Sequence, residues 1–290
     1  MRISDRQWFG QHTQRIQENR QHVARLQEKL ASGQEVNRPS DDPAAYSRLE
    51  NIRGHLAELD TLDRNADAAL RKLNTAEATM DDMFNVMIRA RESVVSALNH
   101  TYNASDRADI AEEMKVMRDH FVQLSEVQVD DQYIFSGTAS DAPPLDDTGA
   151  YQGAGAGNRV AIGEGAELEM AIDGSRLFDR DVNIVQMLDG IIADLESDDV
   201  DSLQGRIGDI GLAENQLLKA QTDLGARLRR VEVTTELTED IRIQLSQESQ
   251  DVGDADLAAV VSELLAQEQS LQAAVQVAGR TMTPSLLDVI

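Results

Sequence analysis

The sequence predicts a mainly α-helical fold: a long bundle of coiled-coil type that carries a small β-rich inserted domain. Apolar residues recur at heptad spacing over long stretches at both ends of the 290-residue chain. Such narrow stripes are stable only when another helix covers them. Aromatic residues make up 3% of a chain that is 41% hydrophobic, which favours thin helical seams over a thick globular core.

Composition argues against several classes of function. A formal net charge of −25 repels nucleic acid, whose binding requires Lys and Arg, and it equally repels an anionic membrane surface. There is no cysteine, which excludes disulfides, thiol catalysis and cysteine-based zinc sites. The first residues lack the apolar core of a Sec signal peptide, and no run reaches the ~20 apolar residues that span a bilayer. These properties alone predict a soluble acidic protein of the cytosol.

The first predicted element, residues 1–36, is an assembly helix. Large apolar rings near the start of an otherwise polar helix indicate a partner surface, and the heptad stripe that follows requires a covering helix. The residues predicted to form its interface are Trp8, Phe9, Ile16, Val23, Leu26 and Leu30.

A proline-containing segment predicts the joint that follows. Gly33 suits the left-handed position just after a helix end, and Pro39 steers its preceding residue away from helical dihedrals. Asp42 is expected to cap the next helix, with Pro43 at its first position, where the missing N–H costs nothing. Asp41 and Asp42 lack the converging ligands of a metal site or the dry pocket of an acid–base pair. We therefore expect a joint at this point and no catalytic or metal site.

Residues 37–136 and 179–250 are predicted to form the two halves of a helical shaft, because long heptad runs fill both segments. The heptads vanish and glycines become frequent between these halves, at residues 137–178. Two stretches there, 158–163 and 167–173, alternate apolar with polar residues, as half-buried strands do. This segment is expected to be the small β-rich outer domain.

Residues 251–290 are predicted to form a second assembly helix that returns antiparallel to the first. Gly253 interrupts the shaft helix, and Asp254 is expected to cap the helix that follows. Residues 1–32 carry a net charge of +3 and residues 251–290 one of −5, so the two ends attract each other. An isolated helix pair of this kind is marginal, so its ordering is expected to depend on neighbouring subunits. Its predicted interface residues are Leu257, Val261, Leu264, Leu271, Val275, Met282, Leu286 and Leu287.

No motif in the sequence indicates an enzyme. The glycines at 153–157 miss the GxGxxG pattern of a dinucleotide-binding turn and open no helix. The five histidines are scattered and no HExxH motif occurs. No GxSxG turn presents a nucleophilic serine. We therefore predict no catalytic residues, no cofactor and no metal ligands.

Several stretches together resemble the flagellin family. They are "MRIS" at the start, "KLASGQEVNRPSDDPAA" (29–45), "YIFSGT" (133–138), "GARLRRVE" (225–232) and the segment 254–290. The similarity runs the full length of the chain. Within the family, the Pro-Ser-Asp-Asp-Pro joint and the ending "PSLLDVI" favour a subunit of the hook–filament junction over the filament subunit. Two departures, Glu35 and the pair Val289–Ile290, concern surface charge and end packing.

The resemblance implies a structural adaptor that is secreted without a signal peptide. Such a subunit passes unfolded through the flagellar export channel and assembles as a short extracellular ring at the hook tip. The implied partners are other copies of itself, a hook-associated junction protein on the hook side and flagellin on the filament side. The resemblance also implies an export chaperone that binds the C-terminal segment. It implies no cofactor, and no binding to nucleic acid or to a membrane.

Three alternatives differ from this interpretation. The nearest is flagellin, the main filament subunit, which high copy number would distinguish. A flagellar protein with an inserted hydrolytic domain is disfavoured because the insertion holds no metal or nucleophile constellation. A cytosolic signalling coiled coil predicts ordered ends in the free protein and no export.

Overall fold

A computed structural model describes residues 2–155, 157 and 159–281, with side chains from residue 10 to residue 278 within that set. Long helices dominate this part of the chain, and its strands are short. The elements are α1 (Arg2–Ser32), α2 (Pro43–Ala97), α3 (Ala104–Ser125), β1 (Gln128–Val129), β2 (Gln132–Tyr133), β3 (Arg159–Gly163), β4 (Ala166–Glu169), α4 (Ser175–Phe178), α5 (Ile184–Glu196), α6 (Val200–Gly253) and α7 (Leu257–Thr281). The predicted fold, mainly α-helical with small sheets, is confirmed.

The chain divides into two compact units. The terminal unit consists of Met1–Glu58 and Ile241–Ile290, and the central unit of Leu59–Asp240. The terminal unit holds α1, α7 and the outer ends of α2 and α6. The central unit holds the remaining elements and the whole of the main hydrophobic core, which runs from Ala66 to Val231.

Heptad spacing explains the two longest helices. Buried side chains follow one another three, four or seven residues apart, so each helix presents a narrow apolar stripe to the core. On α2 these residues are Ala66, Ala69, Leu73, Ala76, Met80, Met83, Met87, Ala90, Val94 and Ala97. On α6 the stripe consists of Leu203, Ile210, Ala213, Leu217, Leu224, Leu228 and Val231.

A break after α2 separates it from α3, which packs against α5. The side chain of Asn103 accepts hydrogen bonds from the N–H groups of Ser105 and Asp106, and Asp106 accepts the Asn103 N–H in return. This capping box satisfies the free donors at the start of α3. Arg118 of α3 then donates to Asp189 of α5 at 3.0 Å, and Lys115 of α3 pairs with Glu196 of α5 at 2.6 Å.

The segment between α3 and α5 shares the core of the central unit. Phe178 of α4 makes edge-to-face contacts with Phe121 of α3, at a centroid distance of 6.2 Å, and with Phe135, at 5.9 Å. The antiparallel pair β3–β4 buries Ile162 and Leu168 in the same core. The strands expected at 158–163 and 167–173 are found at 159–163 and 166–169, as a single two-stranded hairpin, so the second strand ends four residues earlier than predicted. A second short hairpin, β1–β2, precedes them.

Candidate assembly surface of the terminal helices

The two joints of the terminal unit are tied to each other through their backbones. The N–H of Glu35 donates to the carbonyl of Gly253 at 2.7 Å, and the N–H of Ala255 donates to the carbonyl of Gly33 at 2.9 Å. Gln34 and Asp254 thus form an isolated antiparallel bridge. We call residues 33–35 with 253–255 the joint bridge. It fixes the end of α1 beside the start of α7.

Gly33 and Gly253 allow this close approach for different reasons. Gly33 has φ +72°, the left-handed conformation that glycine adopts without a steric cost and that commonly follows a helix end. Gly253 is buried, and a Cβ there would lie 3.0 Å from a methyl group of Leu49. The α6 end therefore packs tightly against α2 within the terminal unit.

Carboxylates organise the turn between α1 and α2. The Asp41 carboxylate accepts the backbone N–H groups of Asn37 (3.3 Å) and Arg38 (3.0 Å). Asp42 caps α2 as predicted, because its Oδ1 accepts the N–H groups of Ala44 (2.9 Å) and Ala45 (3.0 Å). Pro39 is exposed and lies in the turn between α1 and α2. Pro43 is the first residue of α2.

Sequence reasoning missed Asn37 and assigned the second cap to the wrong residue. The side-chain amide of Asn37 donates to the Ser32 hydroxyl at 3.0 Å and to the Gln34 carbonyl at 3.2 Å. The predicted cap of α7, Asp254, is wrong. Asp256 caps this helix, because its Oδ1 accepts the N–H groups of Ala258 (3.0 Å) and Ala259 (3.1 Å). Asp254 belongs instead to the joint bridge.

Ion pairs brace the same region. Lys29 pairs with Glu35, and Arg38 pairs with Glu28 at 2.6 Å. Each pair joins the last turns of α1 to the segment that follows them. Arg48 of α2 pairs with Glu248 of α6 at 2.7 Å. These pairs are largely exposed, so each contributes about 0.2–1 kcal/mol and together they fix direction more than stability.

The helices α1 and α7 pack against each other along a heptad seam. Val23 and Leu26 of α1 are buried, and Ile16 is half-buried. Gln267 of α7 donates its side-chain amide to the Asn19 amide oxygen at 3.2 Å, and His22 lies 3.1 Å from Glu263. The less exposed apolar positions of α7 follow the same spacing: Val260, Leu264, Leu271, Ala274 and Ala278.

A flank of α7 next to the seam is apolar and exposed. The exposed residues of α7 include five large aliphatic side chains that α1 does not cover; four of them follow one another along this flank, and Val277 lies apart from them. We call these residues the outer stripe: Leu257, Val261, Leu265, Val275 and Val277, which are 39–55% exposed. On α1, Leu30 is also 38% exposed.

The structure thus distributes the predicted interface residues over two sides. Leu264 and Leu271 lie on the seam with Ile16, Val23 and Leu26 of α1. Leu257, Val261 and Val275 lie on the outer stripe, together with Leu265, which sequence reasoning did not include. Trp8, Phe9, Met282, Leu286 and Leu287 lie outside the described side chains.

The described residues contain no candidate metal-binding cluster and no candidate membrane-spanning helix. From residue 10 to residue 278, no group of three or more His, Asp or Glu side chains comes together closely enough to hold a metal ion. Likewise, every helix within the described ranges falls short of the length and apolar character needed to cross a membrane.

Comparison with known proteins shows what these features are similar to. Residues 3–140 match the family model described as bacterial flagellin N-terminal helical region. More particularly, the chain is 24% identical, over 94% of its own length, to flagellar hook-associated protein 3 of Escherichia coli K12, of which it also covers 94%. The expected resemblance to the hook-associated branch of the family is confirmed.

A solved structure agrees with this fold, and a filament protein matches less of the chain. The flagellar junction protein FlgL of Legionella pneumophila superposes with a TM-score of 0.62, at 16% identity, over 72% of this chain and 100% of its own. The filament 41 kDa core protein of Borreliella burgdorferi is 30% identical, but over only 37% of this chain and 32% of its own length. Resemblance to the filament protein is thus confined to part of the chain.

Proposed function

We propose that this chain is a structural adaptor of the bacterial flagellum that joins the hook to the filament. The observation that carries the proposal is the two-sided α7. One side packs on α1, and the outer stripe remains exposed with large aliphatic side chains. A single chain cannot cover both stripes with one partner helix, so neighbouring subunits are the natural cover.

The full-length similarity to hook-associated protein 3 supports a junction subunit over a filament subunit. The filament relative matches about a third of the chain, and another flagellin matches 71% of it. Similarity to hook-associated protein 3 over 94% of the chain therefore favours the junction. We propose that the subunits form a short ring at the hook tip, with a hook-associated junction protein on one side and flagellin on the other.

Export through the flagellar channel belongs to the same proposal. The chain has no cysteine, so no disulfide could stall an unfolded chain in a narrow channel. Before export, the exposed apolar side chains of the outer stripe need to be shielded from water and from other chains. A chaperone bound to the C-terminal segment would shield them. The subunit then functions outside the cell, in the flagellum, without enzymatic activity.

Deletion of the gene tests the proposal. Flagellin is measured by immunoblot in cells and in culture medium, and flagella are inspected by electron microscopy. We expect bare hooks, with flagellin shed into the medium as monomer, and restoration of filaments by a plasmid copy. Complete loss of flagellin antigen would identify the chain as the filament subunit. Filaments of normal number and attachment would overturn the flagellar assignment altogether.

A further inference from the structure

A groove of about 610 Å³ in the central unit is lined by three arginines and by two glutamates, Glu167 and Glu169. Arg159 of β3 lines one wall, and Arg227 and Arg230 of α6 line the other. We call it the arginine groove. The chain has 52 acidic residues against 27 Lys and Arg, so three arginines at one place are unusual here. Their position on an exposed groove indicates a surface for an acidic partner.

Two of these arginines are available to a partner. Arg227 is engaged, because its guanidinium donates to the Ala171 carbonyl at 3.1 Å. Arg159 and Arg230 are exposed, and neither lies within ion-pair distance of a carboxylate in the described part of the chain. β-Pairing places Glu169 opposite Arg159, yet the Glu169 carboxylate accepts the Gly157 N–H at 3.1 Å. Free guanidinium groups of this kind bind carboxylates through paired hydrogen bonds.

The chain itself offers an acidic counterpart. It contains five Asp–Asp pairs, and four of them have at least one carboxylate engaged. Asp41 and Asp42 serve the joint, Asp81 accepts from Asn85, Asp146 orders its own loop, Asp198 pairs with Arg107 and Asp199 caps α6. In the remaining pair, Asp130–Asp131, neither carboxylate has a described partner.

The Asp130–Asp131 pair is also well presented. It forms the two-residue turn between β1 and β2, with φ +53° at Asp130 and +60° at Asp131. Positive φ at both positions defines a type I′ turn, in which Asn and Gly are the preferred residues. Both aspartates are exposed. The turn therefore displays two carboxylates on a short, hydrogen-bonded projection.

We propose that the arginine groove of one copy binds the Asp130–Asp131 turn of the next copy. Because groove and turn are different surfaces of the same chain, the contact is head-to-tail, which is the kind that closes a ring. This inference rests on the proposed function, since it assumes that copies meet side by side. The inference names the residues that form the contact between neighbouring copies.

Cross-linking tests the contact directly, since the chain has no cysteine of its own. Gln132→Cys beside the turn and Ala226→Cys in the groove are combined in one chain, and flagella are isolated and oxidised. We expect a ladder of cross-linked multimers, because each copy carries both halves of the contact. Gln132→Cys with Ala104→Cys, an exposed alanine of α3 outside the groove, is the matched control and is expected to remain monomeric. A monomer cross-linked within itself, or no ladder, would overturn the proposal.

Charge exchange is the second test. Arg159→Glu with Arg230→Glu should lower the cross-linked fraction about ten-fold, because two ion pairs become repulsive. Asp130→Asn with Asp131→Lys should lower it similarly while keeping a residue that tolerates positive φ at position 130. Both changes together should restore most of the ladder. The control Arg229→Glu, on the same helix outside the groove, should have no effect.

The outcomes separate this inference from the proposed function. Circular dichroism of each purified variant confirms that it is folded before it is scored. Suppose that the deletion strain sheds flagellin and that each charge variant alone, expressed in that strain, restores filaments fully. The junction role then stands and the groove contact is wrong. The contact is also overturned if the arginine-to-glutamate variant fails to restore filaments and adding the changes at Asp130 and Asp131 does not correct this. That outcome indicates another acidic ligand for the groove.

Discussion

Asp42 illustrates how one side chain decides the course of the chain at the joint. Its carboxylate accepts two N–H groups at the start of α2, and those donors have no partner within the helix. Asp41 does the same for the turn that precedes it. Because the two roles are local, the composition of "PSDDP" was sufficient to predict a joint at this place.

Removal of the Asp42 cap should destabilise the terminal unit. We expect Asp42→Ala to lower its free energy of unfolding by about 1 kcal/mol, the usual cost of losing a helix cap. Urea unfolding followed by circular dichroism provides the measurement. Ser40→Ala, an exposed neighbour in the same turn, serves as control. Equal stability of the two variants would mean that the cap contributes nothing.

Asp146 makes a comparable contribution in the central unit, and its contribution depends on pH. The hydroxyl of Thr148 donates to the carboxylate at 2.7 Å, and the N–H of Ala150 donates at 2.9 Å. These bonds favour the charged form and hold the pKa of Asp146 below its usual range. The stabilisation is therefore present at neutral pH and is lost as the pH falls through the folded-state pKa.

Asp146→Asn should accordingly lower the urea midpoint at pH 7. The difference from the original chain should shrink as the pH falls below about 4, where the carboxyl of the unfolded chain is protonated. Asp147→Asn is the neighbouring control. A difference that stays constant between pH 7 and pH 3 would contradict a role of the charge.

At the scale of elements, heptad spacing predicted which helices pair but not which side of α7 faces α1. Leu264 and Leu271 are common to both possible seams. The sequence favoured Val261 and Val275 as their companions because they follow the 4-3 spacing that starts at Leu257 and is interrupted only by Glu268. The structure uses Val260, Gln267 and Ala274 instead, since Gln267 finds a hydrogen-bond partner in Asn19. A pattern of apolar residues cannot predict this hydrogen bond between two polar side chains.

Two helix caps have recognisable signals in the sequence. The break before α3 carries the signal "NASD" (103–106), in which Asn103 and Asp106 form a capping box. Asp256 directly precedes the first apolar residue of α7, which is the expected place for a cap. The joint bridge, by contrast, depends on backbone atoms more than 200 residues apart, and no local pattern predicts it.

The two sides of α7 predict separable phenotypes. Leu264→Asp places a charge in the seam with α1 and should lower the stability of the helix pair by about 2 kcal/mol, together with filament attachment. Leu265→Asp, on the outer stripe, should leave the thermal unfolding of the purified chain unchanged and still release flagellin into the medium.

Gln269→Asp, an exposed polar position of α7, controls for the added charge and should behave like the original chain. If Leu265→Asp retains filaments, the outer stripe is not an assembly surface. Equal unfolding temperatures for the Leu264 and Leu265 variants would mean that the seam contributes no stability.

For the molecule as a whole, the distribution of the core indicates which part folds by itself. The main cluster of buried apolar residues lies between Ala66 and Val231, inside the central unit. The terminal unit adds the narrow α1–α7 seam and the joint. Stability therefore resides mainly in the central unit, and the proposed attachment function in the terminal one.

A fragment of residues 43–253 should consequently remain folded. We expect a helical circular dichroism spectrum and one cooperative thermal transition, because the fragment keeps the entire core. The same fragment should fail to restore filaments in a deletion strain, since it lacks α1 and α7. A non-cooperative transition would show that the terminal helices are needed for the core to form.

The joint bridge has a mechanical consequence. α1 enters it and α7 leaves it on the same side, because the pairing of Gln34 with Asp254 is antiparallel. When both helices are pulled together along their axes, the two segments of the joint bridge move as one, because their two backbone hydrogen bonds hold them side by side. A load on the terminal helices would therefore be shared by α1 and α7 instead of acting on one helix alone.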